Sequence, residues 1–266
     1  MKKLKLDAKT KYELYIKSVQ SPDTDVIFYR AVYKELRGKF KKGLTLREDF
    51  CGTGIISSEW TKLDKTYKSF GVDLDPEPME YGQKNFVDTL SLDQQKRIEL
   101  VQMNVLNKKV PQADIVVAVN FSYCLFRERE QLKKYFQNVY KSIKPGGLYI
   151  IDVFGGSQCA DEVLDRTKHK GYTYYWDQKS FDPVSGHADF AIHFRIGSKF
   201  YKDVFTYDWR VWTIPELREI MKEVGFKDSV IYWEGTTRKG SGNGKFTQVA
   251  KGEACLSWIS YIAGVK

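Results

Sequence analysis

The sequence predicts an α/β fold, a parallel sheet covered by helices on both faces, and three observations carry that expectation. Between residues 44 and 153 short apolar runs alternate with helical periods, the pitch of strand-helix-strand units. Within that stretch Ile115-Val-Val-Ala-Val119 is apolar without interruption, as a strand buried on both faces requires. A glycine-bearing turn, Cys51-Gly-Thr-Gly54, falls where the first strand hands over to the first crossover helix.

The elements follow in order. Tyr12, Tyr15, Ile16 and Val19, then Val26, Ile27, Tyr29, Val32, Tyr33 and Leu36, recur at three- and four-residue steps, the period of two helices. Ser21, Pro22 and Asp23 divide them, with Ser21 or Asp23 as the capping oxygen and Pro22 near the first turn. A strand is expected over 44–50, a helix over 54–63, a strand over 69–73, a helix over 78–90 and a strand over 98–103. After the run at 115–119 come a helix over 128–143, a Lys144-Pro-Gly-Gly147 turn and a strand over 148–153.

Residues 172–212 break the rhythm. Phe190, Ile192, Phe194 and Ile196, and then Phe205, Tyr207, Trp209 and Val211, recur at every second position, which marks antiparallel hairpins rather than crossover units. Thr213-Ile-Pro-Glu216 has the form of a capping box opening a helix to Val224, with Gly225 as its stop. Two last strands, over 228–233 and 256–263, bracket a Gly-, Ser- and Lys-rich stretch at 236–245. The chain divides as one domain over 1–266: an N-terminal helical lid (1–42), a core (43–170), an inserted antiparallel β cap (171–212) and a C-terminal helix with final strands (213–266).

Among 266 residues, 43 Lys and Arg face 34 Asp and Glu, a formal charge of +9 that attracts anions at long range. The basic blocks at 1–5, 39–42 and 238–245 are short, lie among Gly or Ser, and read first as solvated loops. Cys51, Cys124, Cys159 and Cys255 are widely spaced and form no metal-ligand pattern with the three histidines, which argues against structural zinc and a disulfide framework. No apolar run approaches the length of a membrane span and no leader pattern opens the chain, so the expectation is a reduced, cytoplasmic protein.

The chemistry concentrates at Gly52 and Gly54, where a chain without Cβ atoms adopts positive φ and lets a ligand lie against backbone amides. Gly71-Val-Asp73 ends the next strand 19 residues after Gly54, and a carboxylate there can accept both ribose hydroxyls of an adenosine. Two cofactor classes share that geometry. A dinucleotide site wants a third small residue for close helix packing, and Ser57 occupies that place.

Downstream, the sequence resembles the class I S-adenosylmethionine-dependent methyltransferases, from about Tyr12 to the C-terminus. Glu48 and Cys51-Gly-Thr-Gly54 are similar to the first motif of that family, Gly71-Val-Asp-Leu-Asp-Pro-Glu-Pro-Met79 to the second, Val101-Gln-Met-Asn104 to the third and Ala113-Asp-Ile-Val-Val-Ala-Val-Asn120 to the fourth. The resemblance implies a Rossmann-like, doubly wound, seven-stranded sheet with an antiparallel final strand. It implies S-adenosyl-L-methionine as cofactor, bound by Tyr12, Glu48, Cys51, Gly52, Thr53, Gly54, Asp73, Leu74, Asn104, Val105 and Asn120. The sequence departs from the family twice: Phe50 stands where the first glycine is usual, and Asn104 where an acid usually meets the adenine amino group.

Tyr123 and Asp152, near predicted strand ends where open α/β sheets bind ligands, are the candidate substrate residues. The expected function is methyl transfer to a small-molecule acceptor, since no nucleic-acid-binding module is visible; the charge keeps nucleic acid or an anionic metabolite as other partners, and no membrane is implied. The alternatives are a nicotinamide dinucleotide-binding oxidoreductase and a non-catalytic cofactor-binding protein. His169, His187 and His193 read as turn or surface residues, and no general base is assigned. The aromatics of the cap read first as its own core and second as a box for a planar or cationic acceptor.

Overall fold

A computed structural model describes residues 4–39, 42–238 and 240–266, so the basic blocks at 1–5, 39–42 and 238–245 lie partly outside the described residues. Two helices lead: α1 (Ala8–Val19), started by Asp7, whose carboxylate accepts the Thr10 amide at 2.9 Å, and α2 (Pro22–Arg37), stopped by Gly38 at φ 74°. Pro22 opens α2 as expected, but Ser21 makes no side-chain cap; Asp23 and Asp25 instead sit inside the first turn, where the helix dipole favours acids.

The core then alternates β1 (Thr45–Asp49), α3 (Ile55–Leu63), β2 (Lys68–Asp73), α4 (Pro76–Gly82), a short α5 (Leu92–Gln95), β3 (Ile98–Gln102), β4 (Ala113–Ala118), α6 (Arg129–Ser142) and β5 (Ile143–Gly155). β1 to β5 pair in parallel. The expected 144–147 turn is a bulge inside β5: its register against β4 jumps from Ile143 opposite Ala113 to Leu148 opposite Ile115, with Gly146 at φ 76°. The helix expected over 78–90 loses its regular winding at Gly82 and continues as a π-helical turn, Gln83–Val87.

The cap is a separate four-stranded antiparallel sheet, β6 (Val163–His169), β7 (Tyr172–Phe181), β8 (His187–Ile196) and β9 (Lys199–Arg210), in that order. It begins at Val163 rather than at 171, because the mostly exposed β6 pairs with β7 along its whole length. The expected capping box then opens α7 (Ile214–Val224), with Thr213 and Glu216 bonded reciprocally and Gly225 ending it at φ 111°. The last elements are β10 (Asp228–Thr236), β11 (Gly242–Val249) and β12 (Trp258–Val265).

The main sheet has the order β3-β2-β1-β4-β5-β12-β10-β11, with β12 antiparallel to both neighbours. It has eight strands where seven were expected. The Gly/Ser/Lys-rich stretch supplies the addition, an edge strand whose Phe246 packs on Phe28 and Tyr261 at 5.6 and 4.7 Å between ring centroids. One sheet face carries Leu46, Ile115, Val117 and Ile150 under α2 and α3; the other carries Val116, Tyr149, Ile151 and Ile262 under α6 and α7. α2 buries Val26, Tyr29, Val32 and Tyr33 in this way and is a layer of the core, so only α1 lies as a lid, bridging α4 and the cap through Tyr12, Tyr15 and Ser18.

Candidate cofactor and acceptor site

Parallel strands leave a crevice beyond their carboxyl ends where neighbouring crossovers diverge, here between β1 and β4. The β1 end enters it through Phe50, Gly52 and Gly54 at φ 59°, 51° and 66°. Phe50 therefore adopts the left-handed backbone that a glycine would take freely. Its ring packs on Phe126 beyond β4 and on Tyr135 of α6, at 6.1 and 5.4 Å. The turn keeps its path, at a cost of about 1–3 kcal/mol in backbone strain.

Around this turn the backbone fits too closely for side chains. A Cβ on Gly82 would stand 1.8 Å from the Thr53 carbonyl oxygen, so α4 presses directly on the glycine turn. A Cβ on Gly71 would meet Leu100 and Cys51 Sγ at 2.7 and 2.9 Å. The Cys51 thiol is thus packed against the sheet and pushed up by burial, leaving its backbone, not its sulfur, to the crevice.

Asp73 is held by two amides: Gly52 donates to one carboxylate oxygen at 2.7 Å and Asp75 to the other at 2.9 Å. The cap of α4 is Asp75, whose side chain accepts the Glu77 amide, so Asp73 is not used as that cap. Glu48 is buried beneath the turn, where one oxygen accepts both the amide and the hydroxyl of Ser57 at 2.9 and 2.7 Å; burial pushes its carboxyl up to about 8. Ser57 thereby ties β1 to the first turn of α3.

A cavity of about 460 Å³ opens beside Asp73, lined by Phe50, Leu74, Asp75, Met103, Asn104, Val105, Leu125 and Phe126. Its wall is largely apolar, with Asp73, Asp75 and Asn104 as polar groups, the composition that suits a planar heterocycle joined to a sugar. Asn104 Oδ1 accepts the Leu106 amide at 2.8 Å, so this side chain does serve its own turn, and the oxygen keeps one further lone pair. Val105 is fixed below by Asn138, which donates to its carbonyl at 2.7 Å. Phe126 escaped the sequence reading, since an apolar residue past a strand end carries no motif, and Met103 stands within the third motif without having been given a role.

Tyr12 reaches the same end from the lid. Its hydroxyl donates to Glu77 Oε1 at 2.8 Å, an oxygen Lys11 Nζ also contacts at 2.8 Å. Lys11 and Tyr12 together hold the Glu77 carboxyl below its usual range.

At the β4 end, Asn120 and Phe121 both have φ 56°, two consecutive residues in the left-handed region. Asp152, at the end of β5, compensates that strain by accepting the Asn120 amide at 2.7 Å and the Phe121 amide at 2.9 Å. Burial nevertheless pushes its carboxyl up to about 7. Asp152 thus shapes the loop after β4, and both of its oxygens are engaged in doing so. Tyr123, expected beside the substrate, is fully buried and donates to the Asp152 carbonyl at 2.8 Å, because the 3₁₀ turn Ser122–Leu125 folds it back into the core.

The cap aromatics mostly fill their own sheet. Trp176 and Phe190 stack at 5.1 Å, Tyr207 and Trp209 lie at 4.4 Å, and Phe190 and Phe121 join them to Phe154 at 5.8 and 4.7 Å. His193 is buried, not at the surface: its Nε2 lies 3.0 Å from Asp177 and its Nδ1 accepts the Asp203 amide at 2.8 Å, filling a bulge in β9. The sequence reading also passed over Arg47 and Asp49, a fully buried pair at 2.7 Å that Ser142 and Tyr135 complete with bonds of 2.8 Å each. Three consecutive charges, Arg47, Glu48 and Asp49, in a strand at the sheet centre were the available signal.

A family model described as "Methyltransferase domain" matches residues 51–149, from the glycine turn into β5. The chain is 24% identical over 181 residues to "Putative methyltransferase YqeM" of Bacillus subtilis (strain 168), covering 66% of this chain and 71% of that one. Among solved structures it is similar to an S-adenosylmethionine-dependent methyltransferase from Clostridium acetobutylicum ATCC 824 (19% identity, TM-score 0.66, 97% of this chain and 99% of that one). It is similar also to DesVI of Streptomyces venezuelae (15%, TM-score 0.68, 98% and 99%). A third is S-adenosylmethionine-bound CalS10, an amino pentose methyltransferase from Micromonospora echinaspora (11%, TM-score 0.66, 98% and 99%). None of these is a nicotinamide-dependent oxidoreductase. Residues 51–149 thus match a methyltransferase domain, and with its glycine turn, strand order and inserted antiparallel sheet the chain has the fold of the S-adenosylmethionine-dependent methyltransferases to which it is similar.

Proposed function

We propose that this enzyme methylates a small-molecule acceptor, with the adenosine of the cofactor in the cavity at the ends of β2 and β3 and the acceptor beyond β4 and β5. The observation that carries this reading is the cavity itself, with Asp73 pre-oriented by two backbone amides at its mouth. Asp73 is the ribose ligand, Phe50, Met103 and Phe126 the apolar walls for the adenine, and Asn104 and the Val105 backbone its polar partners. Glu48, Thr53 and the Gly52 and Gly54 backbone shape the floor under the methionine moiety, while Leu74 and Tyr12 border the crevice from β2 and the lid.

The cofactor supplies a methyl group already activated by the adjacent sulfonium. What remains for the protein is to orient an acceptor atom, exclude water and accommodate the proton it loses. α1 supplies the cover, and the Asn120–Phe121 loop, fixed by Asp152, supplies a rigid edge. A small acceptor is favoured because the cap packs against the β4 and β5 ends, Trp209 on Phe121 and Phe190 on Phe154, and CalS10, of similar fold, is by name an amino pentose methyltransferase. Four free cysteines and the absence of any helix among the described residues long and apolar enough to cross a membrane support a cytoplasmic setting.

Calorimetric titration with S-adenosylhomocysteine tests the assignment. Asp73→Ala should weaken binding by about 1.5–3 kcal/mol, through loss of charge-assisted hydrogen bonds to the ribose. Unaltered affinity in that variant would remove Asp73 from the site.

A further inference from the structure

We propose that Glu77 is a positioning residue: it latches the α1 lid onto α4, holds the lid closed over the bound cofactor and thereby sets the rate at which the cofactor leaves. This deepens the reading above and rests on it, since it takes Asp73 as the ribose ligand.

An unbroken run of hydrogen bonds joins the glycine turn to the lid. Gly52 donates its amide to one oxygen of Asp73 at 2.7 Å, and the other oxygen accepts the Asp75 amide at 2.9 Å. Asp75 Oδ1 in turn accepts the Glu77 amide at 3.0 Å. Glu77 Oε1 then accepts the Tyr12 hydroxyl and Lys11 Nζ, each at 2.8 Å, and Lys11 Nζ lies 3.3 Å from the Tyr12 hydroxyl. Asp73 and Asp75 both line the cavity assigned to the adenosine, so a ligand that orders them also orders the residue that holds the lid.

A Lys–Glu pair at a protein surface contributes little by itself, and the Glu77 side chain is 57% exposed. Tyr12 changes that balance. Its ring is buried, packed on Tyr81 of α4 at 5.0 Å and facing Phe205 of β9 at 6.4 Å, and a buried phenol needs an acceptor for its hydroxyl. Glu77 supplies that acceptor from α4. Because Lys11 and Tyr12 hold the Glu77 carboxyl below its usual range, it stays charged at neutral pH and keeps both partners.

The lid is tied to the cap and to α4 in different ways. Against the cap, Leu14 is buried with Ile192 and Phe194 of β8, Tyr15 packs on Phe205 at 4.7 Å, and Ser18 bonds the Tyr172 hydroxyl at 3.0 Å. Against α4 the attachment at Lys11 and Glu77 is polar and reached by water, and a cavity of about 370 Å³ lies beside it, lined in part by Leu6, Ala8, Lys11, Glu77, Lys202 and Val204. Polar contacts open to water part at less cost than a packed apolar cluster, and the cavity leaves room for the movement. The α4 attachment is therefore the one that opens, with the lid pivoting on the cap.

The test follows release of tritiated S-adenosylhomocysteine from the full chain, chased with unlabelled ligand. Glu77→Ala removes both the acceptor and the charge and should release the ligand about 10-fold faster, with association within about 2-fold of the unaltered chain. Glu77→Gln keeps an acceptor for Tyr12 and loses only the ion pair, so an intermediate rate is expected, and this isosteric variant stands if Glu77→Ala folds poorly. Lys11→Met added to Glu77→Ala should release no faster than Glu77→Ala alone, because both act through one contact. Two readouts separate a latch from a merely structural role. Added NaCl should speed release from the unaltered chain and leave Glu77→Ala unchanged, and S-adenosylhomocysteine should slow amide hydrogen exchange over residues 8–19 in the unaltered chain but not in Glu77→Ala. Release from both Glu77 variants at the rate of the unaltered chain overturns the proposal, as does lid exchange that the ligand leaves unslowed; either result with normal binding leaves the cofactor site standing. Failure of the unaltered chain to bind S-adenosylhomocysteine would overturn the cofactor site as well, and so distinguishes the two readings.

Discussion

Arg47 and Asp49 show how one residue pair fixes the β1 end. Both are buried, and the guanidinium also donates to the Pro111 carbonyl and to Ser142, so every strong donor direction used is answered within the core. Asp49→Ala would leave the guanidinium charged and uncompensated, and should cost about 3–5 kcal/mol in urea unfolding. Asp152 works by the same logic at β5, where its oxygens hold two amides in left-handed conformation. Asp152→Asn keeps one acceptor and turns an amide donor towards the other N–H; a loss of about 2–3 kcal/mol is expected, with faster hydrogen exchange at Phe121 as the local readout. Phe50 carries the corresponding lesson for reading residues. Its φ of 59° is one that a glycine adopts freely, and its ring becomes a wall of the cavity beside Asp73.

The elements meet the site through close contacts of backbone. α4 leans on the glycine turn at Gly82, where the Thr53 carbonyl occupies the space of a Cβ. Gly82→Ala must separate the two, and we expect a loss of about 3 kcal/mol or more in thermal or urea unfolding, together with loss of S-adenosylhomocysteine binding. Remote from the site, Thr213→Ala should cost only about 1 kcal/mol, the worth of one capping interaction, with cofactor affinity unchanged. These two elements differ in legibility. The α7 capping box was readable because its four residues act locally, whereas the transition at Gly82 from α4 into a π turn depends on a neighbour 29 residues earlier in the chain. β11 was hidden for a related reason: its Gly, Asn and Lys residues have little strand preference, and pairing with β10 plus the Phe246 contact decides its state.

Across the whole molecule, the raised carboxyls couple folding to pH. A folded-state value above the ordinary one means that the protonated form is favoured by folding, so the associated stability is present in acid and is lost as pH rises through the folded value. For Asp25, Asp152 and Glu48, with ordinary values of 3.8, 3.8 and 4.5 raised to about 7, 7 and 8, that loss runs from about pH 4 to about pH 8. The melting temperature of the ligand-free protein should therefore fall between pH 5 and pH 8, and Asp25→Asn, which removes one of the three groups, should make the fall shallower. An equally steep fall in that variant would show that Asp25 does not titrate in this range.

Periodicity and turn chemistry determined the layered α/β core, the order of crossovers, the antiparallel insertion and the glycine turn with Asp73 beyond it, because each is written in residues a few positions apart. Only the tertiary structure decided that α2 belongs to the core, that Tyr123 turns inward and that Asp152 braces a strained loop. It alone brings Tyr29 beside Tyr261, 232 positions away. The physical reason is one of range: helical and strand periods act over a few residues, while burial and charge act through space, between groups that only the finished sheet makes neighbours.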